Sequence, residues 1–85
     1  MNNKEIVKIV NKIVEQILED KEFELVDVEF VKEGPNNFLR IYIDKPGGPT
    51  IDDCQIVSEL INNKLDEIDP IAQSYFLEVS SPGLD

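Results

Sequence analysis

Residues 44 to 54 read Asp44-Lys45-Pro46-Gly47-Gly48-Pro49-Thr50-Ile51-Asp52-Asp53-Cys54. Proline lacks a backbone donor and glycine populates positive φ, so the Pro-Gly-Gly-Pro run ends any element that precedes it. Thr50 then stands where a helix N-cap belongs, with Asp53 at the third helical position. Asp52 and Asp53 together put two carboxylates at the positive end of the helix dipole. Before the break, Phe38 to Asp44 alternates, with Leu39, Ile41 and Ile43 inward and Arg40 and Asp44 outward. After it, Cys54, Val57, Ile61, Leu65 and finally Ile68 recur at helical spacing, flanked by Leu60, in a helix running to about Glu67. Asp69-Pro70 ends that helix, because the residue before proline is pushed out of the α region. The stretch is a strand-to-helix junction, and the helix is a crossover towards a further strand.

Upstream of the junction, Gly34-Pro35-Asn36-Asn37 is a turn by composition. It joins Phe38–Asp44 to an earlier strand, Phe23 to Glu33, in an antiparallel hairpin. In that strand Val26, Val28 and Phe30 point one way and Asp27 and Glu29 the other. Residues 3 to 20 carry Ile6, Val7, Ile9, Val10, Ile13, Val14, Ile17 and Leu18 on about half of a helical circumference, with polar residues on the rest. A stripe that broad suits a helix lying on a sheet, and Asn2 with Glu5 forms its cap pair. Downstream, Tyr75, Leu77 and Val79 alternate with Phe76, Glu78 and Ser80 until Ser81-Pro82-Gly83 stops the strand. The order α-β-β-α-β predicts an α+β two-layer sandwich: a three-stranded sheet with both helices on one face. Strands two and three run the same way, with a right-handed connection, if they share a sheet. The pattern leaves open whether strand three lies beside strand two or strand one. The expected core is Ile9, Ile13, Ile17, Val28, Ile41, Val57, Ile61, Leu77 and Val79, with Cys54 buried on the stripe of the second helix.

Eighty-five residues make one domain, since a chain this short has no room for two cores. The net charge of −10 opposes unaided binding to nucleic acid, which needs Lys and Arg to neutralise phosphates. The chain has no His, which excludes His-based catalysis and His ligation of metals. It has one Cys, which excludes an intrachain disulfide and suits a reducing compartment. The N-terminal apolar pattern is broken by Lys8, Asn11, Lys12 and Glu15, unlike a signal peptide or a membrane span. A cytoplasmic protein that does not engage membranes is expected.

No catalytic residue, metal site or cofactor is expected. Cys54 lacks a base to form a thiolate. Side chains at adjacent helical positions diverge by about 100°, so Asp52 and Asp53 do not converge on one atom. A metal-dependent hydrolase using Asp44, Asp52 and Asp53 is the weakest of the readings considered. Gly47-Gly48 lacks the Lys-Ser/Thr and spacing of a phosphate loop. Phe38, Tyr42, Tyr75 and Phe76 are expected to pack in the core rather than to stack on bases. The element order resembles a KH domain of the prokaryotic type, but its RNA-clamping Gly-x-x-Gly loop has no counterpart in this sequence, so no direct RNA clamp is expected.

Three stretches carry a closer resemblance: Phe23-Glu24-Leu25-Val26-Asp27-Val28-Glu29-Phe30, the junction from Asp44 to Cys54, and Leu77-Glu78-Val79-Ser80-Ser81-Pro82-Gly83-Leu84-Asp85. In this order and spacing the chain resembles the N-terminal domain of the bacterial ribosome maturation factor RimP family, over essentially its whole length. Many relatives carry Leu-Gly where this chain has Lys21-Glu22. The resemblance implies a KH-like fold without the clamping loop. It also implies a cytoplasmic factor that assists maturation of the small (30S) ribosomal subunit near a ribosomal protein of its decoding side. Family members continue into Arg-Pro and a C-terminal Sm-like barrel. Residues 1–85 are therefore expected to be the N-terminal domain alone, without that second domain. A charge of −10 suits a basic partner, so contacts to protein rather than RNA are expected.

If strand three is parallel to strand two, both strands exit at the same end of the sheet. Asp44, Lys45, Gly47, Gly48, Thr50, Asp52 and Asp53 would then join Ser80, Ser81 and Gly83 in one acidic, hydroxyl-bearing surface. It would contact a basic ribosomal protein of the small subunit or the linked C-terminal domain. The alternative reading is a stand-alone acidic protein-interaction module unrelated to the ribosome.

Overall fold

The structure, a computed structural model, describes residues 2–82. Its elements are α1 (Asn3–Leu18), β1 (Glu24–Glu33), β2 (Asn36–Asp44), α2 (Ile51–Ile68) and β3 (Phe76–Ser80). The three strands form one sheet in the order β1-β2-β3. β1 pairs antiparallel with β2, and β3 pairs parallel with it, Phe38 opposite Phe76 and Tyr42 opposite Ser80. The central position of β2 answers the question that the pattern left open. Ile6, Val10 and Val14 of α1 and Val57, Ile61 and Leu65 of α2 meet Leu39, Ile41 and Ile43 in a single core, so both helices cover the same face of the sheet. α1 packs chiefly on β1, and α2 on β3. The architecture is the expected α+β sandwich.

Each helix is delimited by groups the sequence names. Asn2 Oδ1 accepts from Glu5 N–H at 2.9 Å and starts α1. The helix ends at Leu18, two residues short of the expected boundary. The ammonium of Lys21 donates to the carbonyl of Ile17 at 3.0 Å, and the Lys21 N–H to that of Leu18 at 3.0 Å. These bonds satisfy carbonyls that a glycine cap would otherwise serve, which explains how Lys21-Glu22 closes the helix without glycine. At the end of α2, Asp69 takes the left-handed conformation (φ 51°) and its N–H donates to the Leu65 carbonyl. Pro70 denies Asp69 the α region, and a short polar side chain tolerates the left-handed one.

Three local expectations are corrected. The hairpin has a two-residue turn, Gly34-Pro35, with Asn36 and Asn37 already paired in β2. Gly34 at φ +62° meets the demand of a type II′ turn for a positive first residue. In β1 the pairing jumps from Leu25 to Asp27, so Val26 sits in a β-bulge and is 49% exposed. The extra residue reverses the alternation: Leu25, not Val26, joins Val28 and Phe30 on the core side. In α1 the apolar stripe is centred on Ile6, Val10 and Val14. Ile9 and Ile17 lie at its half-buried margin, and Leu77 and Val79 are likewise partly covered. Ile68, at the last turn of α2, is exposed.

Cys54 is buried as expected. Desolvation, with a smaller contribution from the Asp53 carboxylate, pushes its thiol above the ordinary value. It is therefore protonated at neutral pH, and a protonated thiol is a poor nucleophile.

Candidate functional site

The parallel pairing of β2 and β3 brings both strand exits to one end of the sheet, as Tyr42 opposite Ser80 shows. The loop leaving β2 is built by its own residues. Gly48 N–H donates to the Lys45 carbonyl at 2.8 Å, closing a turn with Pro46 and Gly47 at its centre. Gly47 takes φ +84° and Gly48 +81°. A Cβ at either would meet nothing within 4 Å, so glycine is required by backbone conformation and not by crowding. Pro49 is buried and delivers the chain to Thr50.

Thr50 and Asp53 form a complete capping box. The Thr50 hydroxyl accepts from Asp53 N–H at 3.0 Å, and Thr50 N–H donates to Asp53 Oδ2 at 2.9 Å. The same Oδ2 takes the Lys45 ammonium at 2.7 Å, and that ammonium also lies 5.4 Å from the centre of the Phe23 ring. Lys45 foremost, then the Thr50 N–H, holds the Asp53 carboxyl below the usual carboxylate value. Asp53 in turn raises the Lys45 ammonium. Asp53 is thus occupied in fixing the loop to the helix. Asp44, whose Oδ1 accepts from Lys45 N–H, and Asp52 are the exposed carboxylates of this end. Ser80 is half-buried and Ser81 buried beside the exit of β3, and Gly83 lies outside the described residues. Among the described residues, no group of three or more Cys, Asp or Glu side chains is placed to hold a metal ion. No helix among them is long and apolar enough to cross a membrane.

The sheet face away from the helices carries a second group, and here an expectation fails. Phe38, Tyr42 and Phe76 lie on that open face, not in the core; only Tyr75 packs against the core, edge-on to Phe30 at 6.4 Å. Phe38 and Phe76, directly opposite on β2 and β3, have ring centres 5.6 Å apart. Arg40 lies over Phe38 at 4.9 Å and is held by both oxygens of Glu33 at 2.9 Å and by Glu78 at 2.7 Å. Those contacts raise the guanidinium pKa further and lower that of Glu33. The parity of β2 carried this signal: Phe38 and Tyr42 share it with Arg40, not with Leu39 and Ile41. A family model for the RimP N-terminal domain matches residues 13–85, from the middle of α1 onward. The chain therefore belongs to the RimP family of ribosome maturation factors, as its N-terminal domain.

Proposed function

We propose that this domain assists maturation of the small ribosomal subunit in the cytoplasm, by protein–protein contacts and without catalysis or a cofactor. Its partner is a basic ribosomal protein of that subunit, and the contact surface includes the acidic end of the sheet. In a two-domain protein, the linked C-terminal domain would begin beside that end. The observation that supports this most is the convergence of the Asp44–Asp53 loop with Ser80 and Ser81 on one side of the molecule, brought about by parallel pairing. The net charge of −10 favours a cationic protein and disfavours bare RNA.

Because Asp53 is part of the capping box, the variant that separates contact from folding is Asp44→Lys with Asp52→Lys, leaving Asp53 intact. Both positions are exposed, so the fold should survive. Co-sedimentation of the chain with purified small subunits should weaken by at least about tenfold, the equivalent of 1.4 kcal/mol. The loss should be greater at low salt, where opposite charges are least screened. Undiminished co-sedimentation of the folded double variant would remove this end of the sheet as the contact.

A further inference from the structure

The open face of the sheet is more strongly charged than the end just described. Strand parity puts Glu24, Asp27, Glu29 and Glu33 of β1, Asp44 of β2 and Glu78 of β3 on it, against a single cation, Arg40. Among these carboxylates stand the rings of Phe38, Tyr42 and Phe76, the last 56% exposed. Arg40 shows what such a surface takes. Its guanidinium lies over one ring and is gripped by two carboxylates. The planar cation uses its flat face for the aromatic and its edge for the oxygens, which an ammonium cannot do equally well.

The same elements recur two residues further along β2. Tyr42 has Asp27 across from it on β1 and Ser80 on β3. Beside it is a depression of about 510 Å³ lined by Arg40, Tyr42, Glu78, Val79 and Ser80. Arg40 is the chain's only arginine, so any second guanidinium must come from another molecule.

We propose that this open face docks an extended, arginine-rich protein segment, with Tyr42 and Phe76 as aromatic platforms and Asp27, Glu29 and Glu78 as carboxylate partners. The proposal rests on the reading of the domain as a protein-contacting maturation factor, and it names a surface centred on the open face that adjoins the loop end only at Asp44 and Ser80. An extended chain repeats its side-chain direction about every 6.8 Å, so alternate arginines match the period of the strands beneath. The surplus of carboxylates selects the occupant. A nucleic acid or an anionic membrane is repelled by it, and so is a second copy of a chain carrying −10.

The test is an NMR titration of the ¹⁵N-labelled chain with a short peptide of alternating Arg and Ser. Its Lys-Ser counterpart and a short oligouridine are run beside it. The Arg peptide should perturb Phe38, Tyr42, Phe76 and Glu78 and bind more tightly than the Lys peptide. Phe76→Ala should weaken it about three- to tenfold, the scale of one cation–π contact. Glu29→Lys, a change at the surface and independent of Phe76 packing, should weaken it as well. Perturbation confined to the helices or to residues 44–53, preference for oligouridine, self-association through this face, or undiminished binding by both folded variants would overturn the proposal. Co-sedimentation with small subunits then separates the two readings. If the native chain binds the peptide on this face but does not sediment with subunits, the maturation reading fails and the docking surface is supported. If the native chain and the Phe76→Ala, Glu29→Lys double variant sediment equally, the docking surface fails and the maturation reading stands.

Discussion

Replacing Ile41 with alanine is expected to destabilise the domain by about 2–5 kcal/mol. Ile41 has no exposed surface and sits in the central strand, between Val28 on β1 and Val79 on β3. Truncation there removes apolar burial and leaves a cavity that neither neighbouring strand can fill without breaking its own pairing. A domain of this length has a total stability of roughly 4–13 kcal/mol. The variant therefore approaches the unfolding threshold at ambient temperature. Ile41→Val, which keeps the β-branched shape, should cost only about 0.5–1.5 kcal/mol. Urea denaturation of the three proteins measures both differences. A loss below 1 kcal/mol for the alanine variant would show that β2 is not the centre of the core.

Removing the capping box by Thr50→Ala with Asp53→Ala should cost about 1–3 kcal/mol, combining one lost cap with the lost charge at the helix start. The two single changes should not add, because each breaks the same pair of reciprocal bonds. The larger consequence is local: Lys45 loses its partner, and the loop of residues 44–50 loses its tie to α2. Acid should produce the same effect in the native chain. Asp53 has a folded-state pKa below its ordinary value, so its contribution is fully present above the ordinary carboxylate value of about 3.9. That contribution is lost as pH falls through the lower folded value. Thermal denaturation between neutral pH and pH 3 should show a smaller acid-dependent loss for Asp53→Asn than for the native chain. Identical acid limbs would mean that the capping bond does not differ in energy between the two protonation states.

What could be read from the residues, and what could not, follows from the range of the interactions involved. Helix limits and the strand-to-helix junction are local matters: Thr50 with Asp53, and Asp69 before Pro70, act within one turn, and the structure has both. The sandwich follows from the two apolar stripes. The order of the strands does not, since β2 could pair with β3 only after the 31-residue crossover of residues 45–75 had closed, and no local signal records that partner. The bulge at Val26 is not legible in the sequence because a Leu-Val pair is apolar on both parities, so alternation alone chooses the wrong one. The open-face position of the aromatics is hard to read because large aromatic side chains are generally expected in a core. Only their phase relative to Leu39 and Ile41 shows otherwise. At the loop end the pairing of Thr50 with Asp53 is legible, but the tie from Lys45 to Asp53 is not: it depends on how the loop folds back on the helix, and it leaves Asp53 occupied and Asp52 exposed.

The parallel attachment of β3 also governs which misassembled states the sheet can visit. β3 has five residues and is hydrogen-bonded on one side only, to β2. A slip by one residue would exchange its two sides, turning Leu77 and Val79 to water and Phe76 and Glu78 towards the helices. Phe76 alone would tolerate that exchange, being apolar. Glu78 would not, because its carboxylate would enter an apolar interior and lose the Arg40 guanidinium. The ion pair between Arg40 and Glu78, weak as a source of stability at an exposed site, therefore acts by raising the energy of the out-of-phase alternative. A charge that contributes little to the native state can in this way keep a short, otherwise slippery strand in its one productive alignment.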